Sequence, residues 1–196
     1  MSDRTVHINR VTKETNIDLT LNLSGSGIVK STTGIPYLDH MFTAMAFHGK
    51  FDLEVVASGD IEVDEHHLVE DLGLVLGEAL KETVTKYGGV KRYSYKVIPM
   101  DEALSEVVID VCMRPYLVYN VNYPQERSGN FEMHLLREFF HGLTSKGAFT
   151  LHAICRYGEN SHHMSEALFK ALGMAIKDAY TPIESGTDAM STKGKL

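Results

Sequence analysis

Two five-residue segments carry most of the chemistry in this sequence. His66-His67-Leu68-Val69-Glu70 and His162-His163-Met164-Ser165-Glu166 share the pattern His-His-x-x-Glu. On an α-helix His66 and Glu70 are four apart and His67 and Glu70 three apart, so the carboxylate shares a face with an imidazole. Adjacent residues point about 100° apart around the helix axis. The two histidines of a pair therefore suit two different ions better than one. Two such motifs suggest a two-metal arrangement, each ion taking imidazole from both motifs, inside one subunit or across an interface. Imidazole and carboxylate without thiolate exclude a zinc-finger site and favour Mn, Fe or Zn in an open, catalytic-style site. The competing structural reading is two helix starts that merely bear exposed polar residues.

An offset of 96 residues argues against that competitor. It carries His66 onto His162, His67 onto His163 and Glu70 onto Glu166. The same offset carries Leu68 onto Met164, Leu72 onto Leu168, Leu76 onto Leu172, Ala79 onto Ala175 and Leu80 onto Ile176. An apolar stripe alone is common to amphipathic helices. A stripe and a doubled polar motif in one register mark an internal repeat.

The elements around the motifs repeat too. Residues 6–23 read as a strand, with Ile17, Leu19, Leu21 and Leu23 alternating. A small-residue loop, SGSGIVKSTTG, leads to a helix over 36–48, a strand over 51–57 and a long helix over 66–84 that Gly88-Gly89 ends. In the second half, 93–98 and 107–119 read as strands, 135–143 as a helix, 149–156 as a strand and 162–179 as a helix. The predicted fold class is α+β: two pseudo-repeated halves, 1–95 and 96–180, each a small β-sheet with two helices, sharing a core. A polar, turn-rich tail follows over 181–196.

Composition narrows the function classes. The chain has 196 residues, 43% hydrophobic and 23% charged, enough for a real core. Asp and Glu total 26 against 19 Lys and Arg, a net charge of −7, which argues against a broad nucleic-acid surface but permits a local phosphate pocket. Two cysteines make no disulfide framework, no apolar run approaches the roughly 20 residues of a membrane span, and the N-terminus lacks a signal-like stretch. A soluble, cytoplasmic protein without nucleic-acid or membrane partners is the expectation. The anomaly is ten His and no Trp.

Among the other histidines, His40 sits in GIPYLDHMF. Aligning Met41-Phe42 with Phe139-Phe140 places Glu138 opposite His40, and both types can bind metal. His48, His134 and His141 carry weaker signals, and His152, in the apolar run FTLHAI, reads as a core histidine. Arg92, Arg114, Lys170 and Lys193 are scattered and individually read as surface charges. Lys170 differs: it follows Glu166 by four residues in an apolar helix segment and needs an anionic partner there. The STKG run at 191–194 offers hydroxyls, a Lys and a flexible Gly, a set suited to phosphate oxygens and equally typical of a loose tail.

Several long segments, in order, resemble the imidazoleglycerol-phosphate dehydratase family of histidine biosynthesis. They are RVTKETNI (10–17), GIPYLDHMF (34–42), DEHHLVEDLGLVLGEAL (64–80), DEALSEVVIDVCMRPYLVYN (101–120), LREFFHGL (136–143), GENSHHMSEALFKAL (158–172) and STKGKL (191–196). The resemblance implies dehydration of D-erythro-imidazole glycerol phosphate to imidazole acetol phosphate, with two Mn(II) ions per site stabilising an imidazolate-like intermediate. It implies a homo-oligomer of 24 subunits with sites at subunit interfaces, and helices packed between the sheets. Carried onto this chain, the metal ligands are His40, His66, His67, Glu70, Glu138, His162, His163 and Glu166; at Glu138 other members have His. The substrate-binding residues are Glu14, His48, Arg92, Arg114, Lys170, Ser191, Thr192 and Lys193. Proton transfer stays open between Glu14, Glu166, His67 and a metal-bound species. The tail is expected to close over the substrate phosphate, and Tyr37, in place of a more usual Phe, to matter little. Two competitors stand beside this reading. A dinuclear metallohydrolase would release phosphate. A metal-assembled structural shell would leave Glu14, the cations and STKG unexplained.

Overall fold

The computed structural model describes residues 3–183. The first half consists of β1 (Thr5–Val11), β2 (Thr15–Asn22), β3 (Val29–Thr32), α1 (Pro36–Gly49), β4 (Asp52–Gly59) and α2 (His66–Tyr87). The second consists of β5 (Tyr93–Met100), β6 (Ala103–Asp110), β7 (Tyr116–Asn120), β8 (Arg127–Ser128), β9 (Phe131–Glu132), α3 (Leu135–Gly147), β10 (Thr150–Tyr157) and α4 (Ser161–Ala179). The two main sheets have matching orders, β1-β2-β4-β3 and β5-β6-β10-β7, each with its last strand parallel to its neighbour.

The repeat holds down to register. Thr5 pairs with Asn22, and 88 residues on Tyr93 pairs with Asp110. Val29 pairs with Leu53; 88 and 98 residues on, Leu117 pairs with Leu151. The ten-residue difference falls between β7 and α3, where the second half inserts the β8–β9 hairpin.

Four expected boundaries change. Residues 6–23 form two strands, because Thr12 turns the chain: its N–H donates to Thr15 O (2.8 Å) and its Oγ1 accepts from the N–H groups of Glu14 and Thr15. Residues 107–119 likewise split into β6 and β7, at a bend with Met113 at φ 55° and Pro115 beyond it. The small-residue loop contains the edge strand β3. The division between halves lies in the 88–92 link, since β5 begins at Tyr93 and the expected 95/96 division falls inside it.

Each sheet buries one face, through Ile17, Leu19 and Leu21 on β2 and through Val107 and Ile109 on β6. The helices lie between the sheets. α2 covers β1 and β2, α4 covers β5 and β6, and each long helix packs on the short helix of the other half, α2 on α3 and α4 on α1. Glycines set this approach. A Cβ at Gly173 would overlap the Met45 carbonyl, and one at Gly77 the Leu143 carbonyl. Phe42, Phe139, Phe140 and Phe169 fill the middle, each burial contributing on the order of 2–3 kcal/mol. α1 and α4 are thereby held at a fixed spacing along the faces that carry His40 and Glu166.

The far end of α4 is tied by charge. Asp178 accepts hydrogen bonds from Lys91 Nζ (2.6 Å), Lys96 Nζ (3.0 Å) and Ser94 Oγ (2.9 Å). The Lys91 bond first, with Lys96 and Ser94, holds its carboxyl at about 2, against a smaller effect of burial. A folded-state value below the ordinary one stabilises above pH about 4 and is lost as pH falls toward about 2. Asp178→Asn should therefore melt lower at neutral pH and lose part of this acid slope. Melting curves of both proteins across that window check it; parallel curves would refute it.

The expected tail begins inside the fold. Pro182 bridges Val90, and Ile183 N–H donates to Gly89 O (3.2 Å). Ser191, Thr192 and Lys193, with the expected closure over phosphate, lie outside the described residues.

Candidate active site

Both His-His-x-x-Glu motifs open a helix whose first N–H groups are met by an upstream side chain. Asn160 Oδ1 accepts from the N–H groups of His162 (2.8 Å) and His163 (3.4 Å), and 96 residues earlier Asp64 Oδ1 accepts from His66 N–H (2.9 Å). These bonds fix the first turns, so the rings leave in defined directions. His66 and His67 lie at 87° to one another and His162 and His163 at 85°. Neighbouring imidazoles diverge, as the helical spacing predicts.

His162 and Glu166 meet His40 across the α1–α4 contact. Glu166 Oε2 lies 3.1 Å from both His40 Nε2 and His162 Nε2, and the three donor atoms fall within 4.8 Å of one another. Among the described residues this is the single group of three metal-competent donors. Two imidazole nitrogens and a carboxylate oxygen on one point form a borderline-to-hard set that fits a divalent Mn, Fe or Zn. Glu166 Oε1 pairs with Lys170 Nζ at 2.8 Å, which supplies the anionic partner that Lys170 needs. Burial pushes the Glu166 carboxyl up, but hydrogen bonds from Lys170 and His40 and their charges outweigh it and hold it at about 2. His48 follows His40 by two turns of α1; burial and then the Lys170 charge lower its pKa. His162, His40, Glu166, Lys170 and His48 thus belong to one strip where α1 and α4 meet.

The inserted hairpin completes this strip. A cavity of about 390 Å³ is lined by Tyr37, His40, Glu65, Ser128, Phe131 and His162 among others. Ser128 Oγ lies 3.4 Å from His162 Nδ1, and Phe131 stacks on Tyr37 at 4.8 Å. Tyr37 was expected to matter little. Its hydroxyl lies 2.5 Å from Ser165 Oγ and its ring meets His162 edge-on, so it adds an anchor that Phe would lack.

The remaining expected ligands fall into separate groups. His66 Nε2 lies 3.9 Å from Glu70 Oε2. His67 Nδ1 lies 3.1 Å from Asp60 Oδ2, with Glu14 Oε2 at 4.0 Å, and the Asp60 bond raises its pKa. His163 Nδ1 lies 2.8 Å from Glu102 Oε2. That bond raises the His163 pKa and draws the Glu102 carboxyl down to about 2. Glu138 is half-buried on α3 and, among the described residues, makes no hydrogen bond or ion pair to His66, His67 or Glu70.

Arg92 and Arg114 converge on Asp110, with Arg92 Nε at 2.6 Å and Arg114 Nη2 at 3.8 Å. Hydrogen bonding to Asp110 raises the Arg92 pKa. Arg92 N–H also donates to Ala179 O, at the C-terminus of α4 (2.9 Å). His162 opens the same helix, so roughly 25 Å of helix separates these arginines from the His40–His162–Glu166 group. Sequence reasoning missed Asp60, Glu102 and Ser128. Glu102 had a signal: it stands 88 residues after Glu14, at the tip of the equivalent hairpin.

The comparisons with known proteins agree in one direction. Residues 33–176 match the family model described as imidazoleglycerol-phosphate dehydratase. Proteins of that name from Nitrosococcus oceani (48% identical, all of both chains) and Geobacter sulfurreducens (47%, 98% of this chain and 99% of that protein) are similar over their whole length. The crystal structure of imidazoleglycerol-phosphate dehydratase from Staphylococcus aureus superposes with a TM-score of 0.83 at 33% identity, over 91% of this chain and 99% of that one. The Pyrococcus furiosus enzyme, in complex with (S)-C348, superposes with a TM-score of 0.84 at 38% identity, over 96% and 100%. The chain therefore belongs to the imidazoleglycerol-phosphate dehydratase family, the hydro-lyases of histidine biosynthesis.

Proposed function

We propose that this chain removes water from D-erythro-imidazole glycerol phosphate to give imidazole acetol phosphate. The observation that carries the reading is the convergence of His40, His162 and Glu166 beside a cavity. His40, His162 and Glu166 would hold one Mn(II), and His66, His67, Glu70, Glu138 and His163 would supply ligands to sites shared with neighbouring subunits. Two bound Mn(II) ions per site would supply positive charge to the imidazole ring once it gives up its N–H proton, and the carbon-bound proton and the ring-adjacent hydroxyl would then leave as water. The enol left by departure of the hydroxyl then tautomerises to the keto product.

The chain's own groups divide the remaining work. Glu166 is a poor proton acceptor, because its carboxylate is already engaged by Lys170, His40 and His162 and held at about 2. His67 Nδ1 is engaged by Asp60. Glu14 is exposed at its hairpin tip beside His67, and we assign it proton transfer at its carboxylate. Arg92, Arg114, Lys170 and the STKG segment would bind the phosphate, which orients the reacting carbons without taking part in bond breaking. Because Arg92 lies about a helix length from His162, a complete site takes its arginines and its metal group from different subunits of a homo-oligomer, which we place at 24 subunits. Among the described residues no helix is long and apolar enough to cross a membrane. Both cysteines are free, and we place the chain in the cytoplasm.

The test follows the products. Metal-stripped protein is given imidazole glycerol phosphate with and without Mn(II), and both keto product and inorganic phosphate are measured. Mn-dependent keto product with phosphate retained is expected. Phosphate release would move the chain to the hydrolase class, and no product from folded, Mn-loaded protein would overturn the substrate.

A further inference from the structure

The two halves present equivalent hairpin tips to equivalent histidines, yet the tips are used differently. Glu14 lies in the β1–β2 turn and Glu102, 88 residues on, in the β5–β6 turn. His67 opens α2 and His163, 96 residues on, opens α4. In the second half the tip carboxylate is locked. Glu102 Oε2 lies 2.8 Å from His163 Nδ1, while Oε1 accepts from the N–H groups of Glu159 (3.1 Å) and Asn160 (2.8 Å). In the first half the tip carboxylate stands off, with Glu14 Oε2 4.0 Å from His67 Nδ1. Its place is taken by Asp60, whose two oxygens lie 3.2 and 3.1 Å from that nitrogen. Asp60 comes from the β4–α2 link, which is longer than the β10–α4 link opposite.

From this broken symmetry we infer that Glu102 and Asp60 are positioning residues, which fix His163 and His67 through Nδ1 so that Nε2 faces the metal, and that Asp60 thereby frees Glu14 for the substrate. The inference rests on the metal reading above. A ring nitrogen bonded to a carboxylate carries the proton, which leaves the other nitrogen's lone pair for an ion. Among the described residues no hydrogen bond engages Nε2 of either ring; the nearest carboxylate oxygen to His163 Nε2 is Asp101 Oδ2 at 3.9 Å. The groups facing these rings are Glu14, Asp60 and Asp64 around His67, and Asp101, Glu102 and Glu166 around His163. Of these only Asp60 and Glu102 contact a ring nitrogen at hydrogen-bond distance. Glu102 is further braced by two backbone donors, so it holds the ring without needing to move. Among the described residues the Glu14 carboxylate has no such brace and is left to meet a ligand. Thr15 and Arg10, on either side of the hairpin turn, both bind Asp71 of α2, which anchors the base of the turn and leaves its tip exposed.

The experiment reads Mn(II) affinity and turnover separately. Free Mn(II) is titrated by electron paramagnetic resonance into metal-stripped wild type, Glu102→Gln, Glu102→Ala, Asp60→Asn and Glu14→Gln, with melting curves confirming that each variant is folded. Loss of a carboxylate behind a metal-binding histidine weakens metal by about 10–100-fold. Glu102→Ala should show such a loss, Glu102→Gln and Asp60→Asn smaller ones because each amide oxygen still accepts from the ring, and turnover should recover at saturating Mn(II). Glu14→Gln should bind Mn(II) like wild type and lose kcat that no added Mn(II) restores. Wild-type affinity in folded Glu102→Ala and Asp60→Asn overturns the inference and leaves the metal reading standing. If Glu102→Ala fails to fold, Glu102→Gln and Asp60→Asn decide it by the same criterion. A wild-type protein that binds no Mn(II) overturns both.

Discussion

Glu166→Gln should reduce turnover at saturating Mn(II) by about 10³-fold or more, equivalent to roughly 4 kcal/mol of transition-state stabilisation. The substitution preserves shape, so the loss would be electrostatic. Glu166 joins four groups: His40 and His162 through Oε2, Lys170 through Oε1, and, in the reading proposed here, a divalent ion. An amide lowers the charge at the ion and leaves Lys170 without an anionic partner in a largely buried strip, where an unpaired cation is costly. Metal affinity should fall in the same protein, which separates this variant from Glu14→Gln. Steady-state kinetics with a Mn(II) titration checks both effects. Turnover within tenfold of wild type would remove Glu166 from the centre of the mechanism.

What the sequence made legible follows from which periodicities survive divergence. The long helices kept their stripe and their motif in one register, because α2 and α4 occupy the same place in each half and any slip would rotate the imidazoles away from the core-facing frame. His40 and Glu138 were also placed opposite one another, since α1 and α3 share the 98-residue offset and end alike, Lys50 at φ 55° and Ala148 at φ 53°. The strands were less legible. The β1–β2 turn contains no glycine or proline and is made by the Thr12 hydroxyl, so alternation runs through it without a visible break. β3 is a four-residue edge strand, Val-Lys-Ser-Thr, with one apolar residue, and β8 and β9 have two residues each, too short for any period. Glu102, Asp60 and Ser128 were missed because each acts through tertiary position. The 88-residue offset that would have exposed Glu102 belongs to hairpins that had been read as a single strand in the first half.

The asymmetry between the halves has a physical consequence for the site. The first half meets His67 with a long link and Asp60; the second meets His162 and His163 with a hairpin and Glu102. A duplicated framework can therefore hold two His-His-x-x-Glu motifs in related positions while only one hairpin tip, Glu14, remains exposed. In the reading proposed here, fold symmetry would position the ions, and its local breaking would give the site a direction. The glycine-mediated approach of α1 to α4 fixes the distance across which His40 reaches Glu166, so the core and the site are set by the same contact.

The same geometry leads to the second large effect. Arg92→Ala and His162→Ala should each reduce kcat/KM by about 10²-fold or more when made alone, the first through lost phosphate binding and the second through lost metal. Co-expressed in equal amounts, they should regain activity. If a site draws His162 from one subunit and Arg92 from another, random mixing leaves about a quarter of the sites with both wild-type residues. The expectation rests on distance: Arg92 is tied to Ala179, His162 opens the same α4, and roughly 25 Å of helix lies between them. A phosphate and an imidazole on one three-carbon chain cannot span that gap, so one subunit cannot bind both ends of the substrate with these groups. Activity of the mixed oligomer is compared with that of the two parents blended after purification, where exchange is absent. Recovery only on co-expression places the site between subunits. A mixed oligomer as inactive as its parents would mean that Arg92 and His162 serve the same subunit or that Arg92 binds no phosphate, and either result would remove the arginine pair around Asp110 from the shared site.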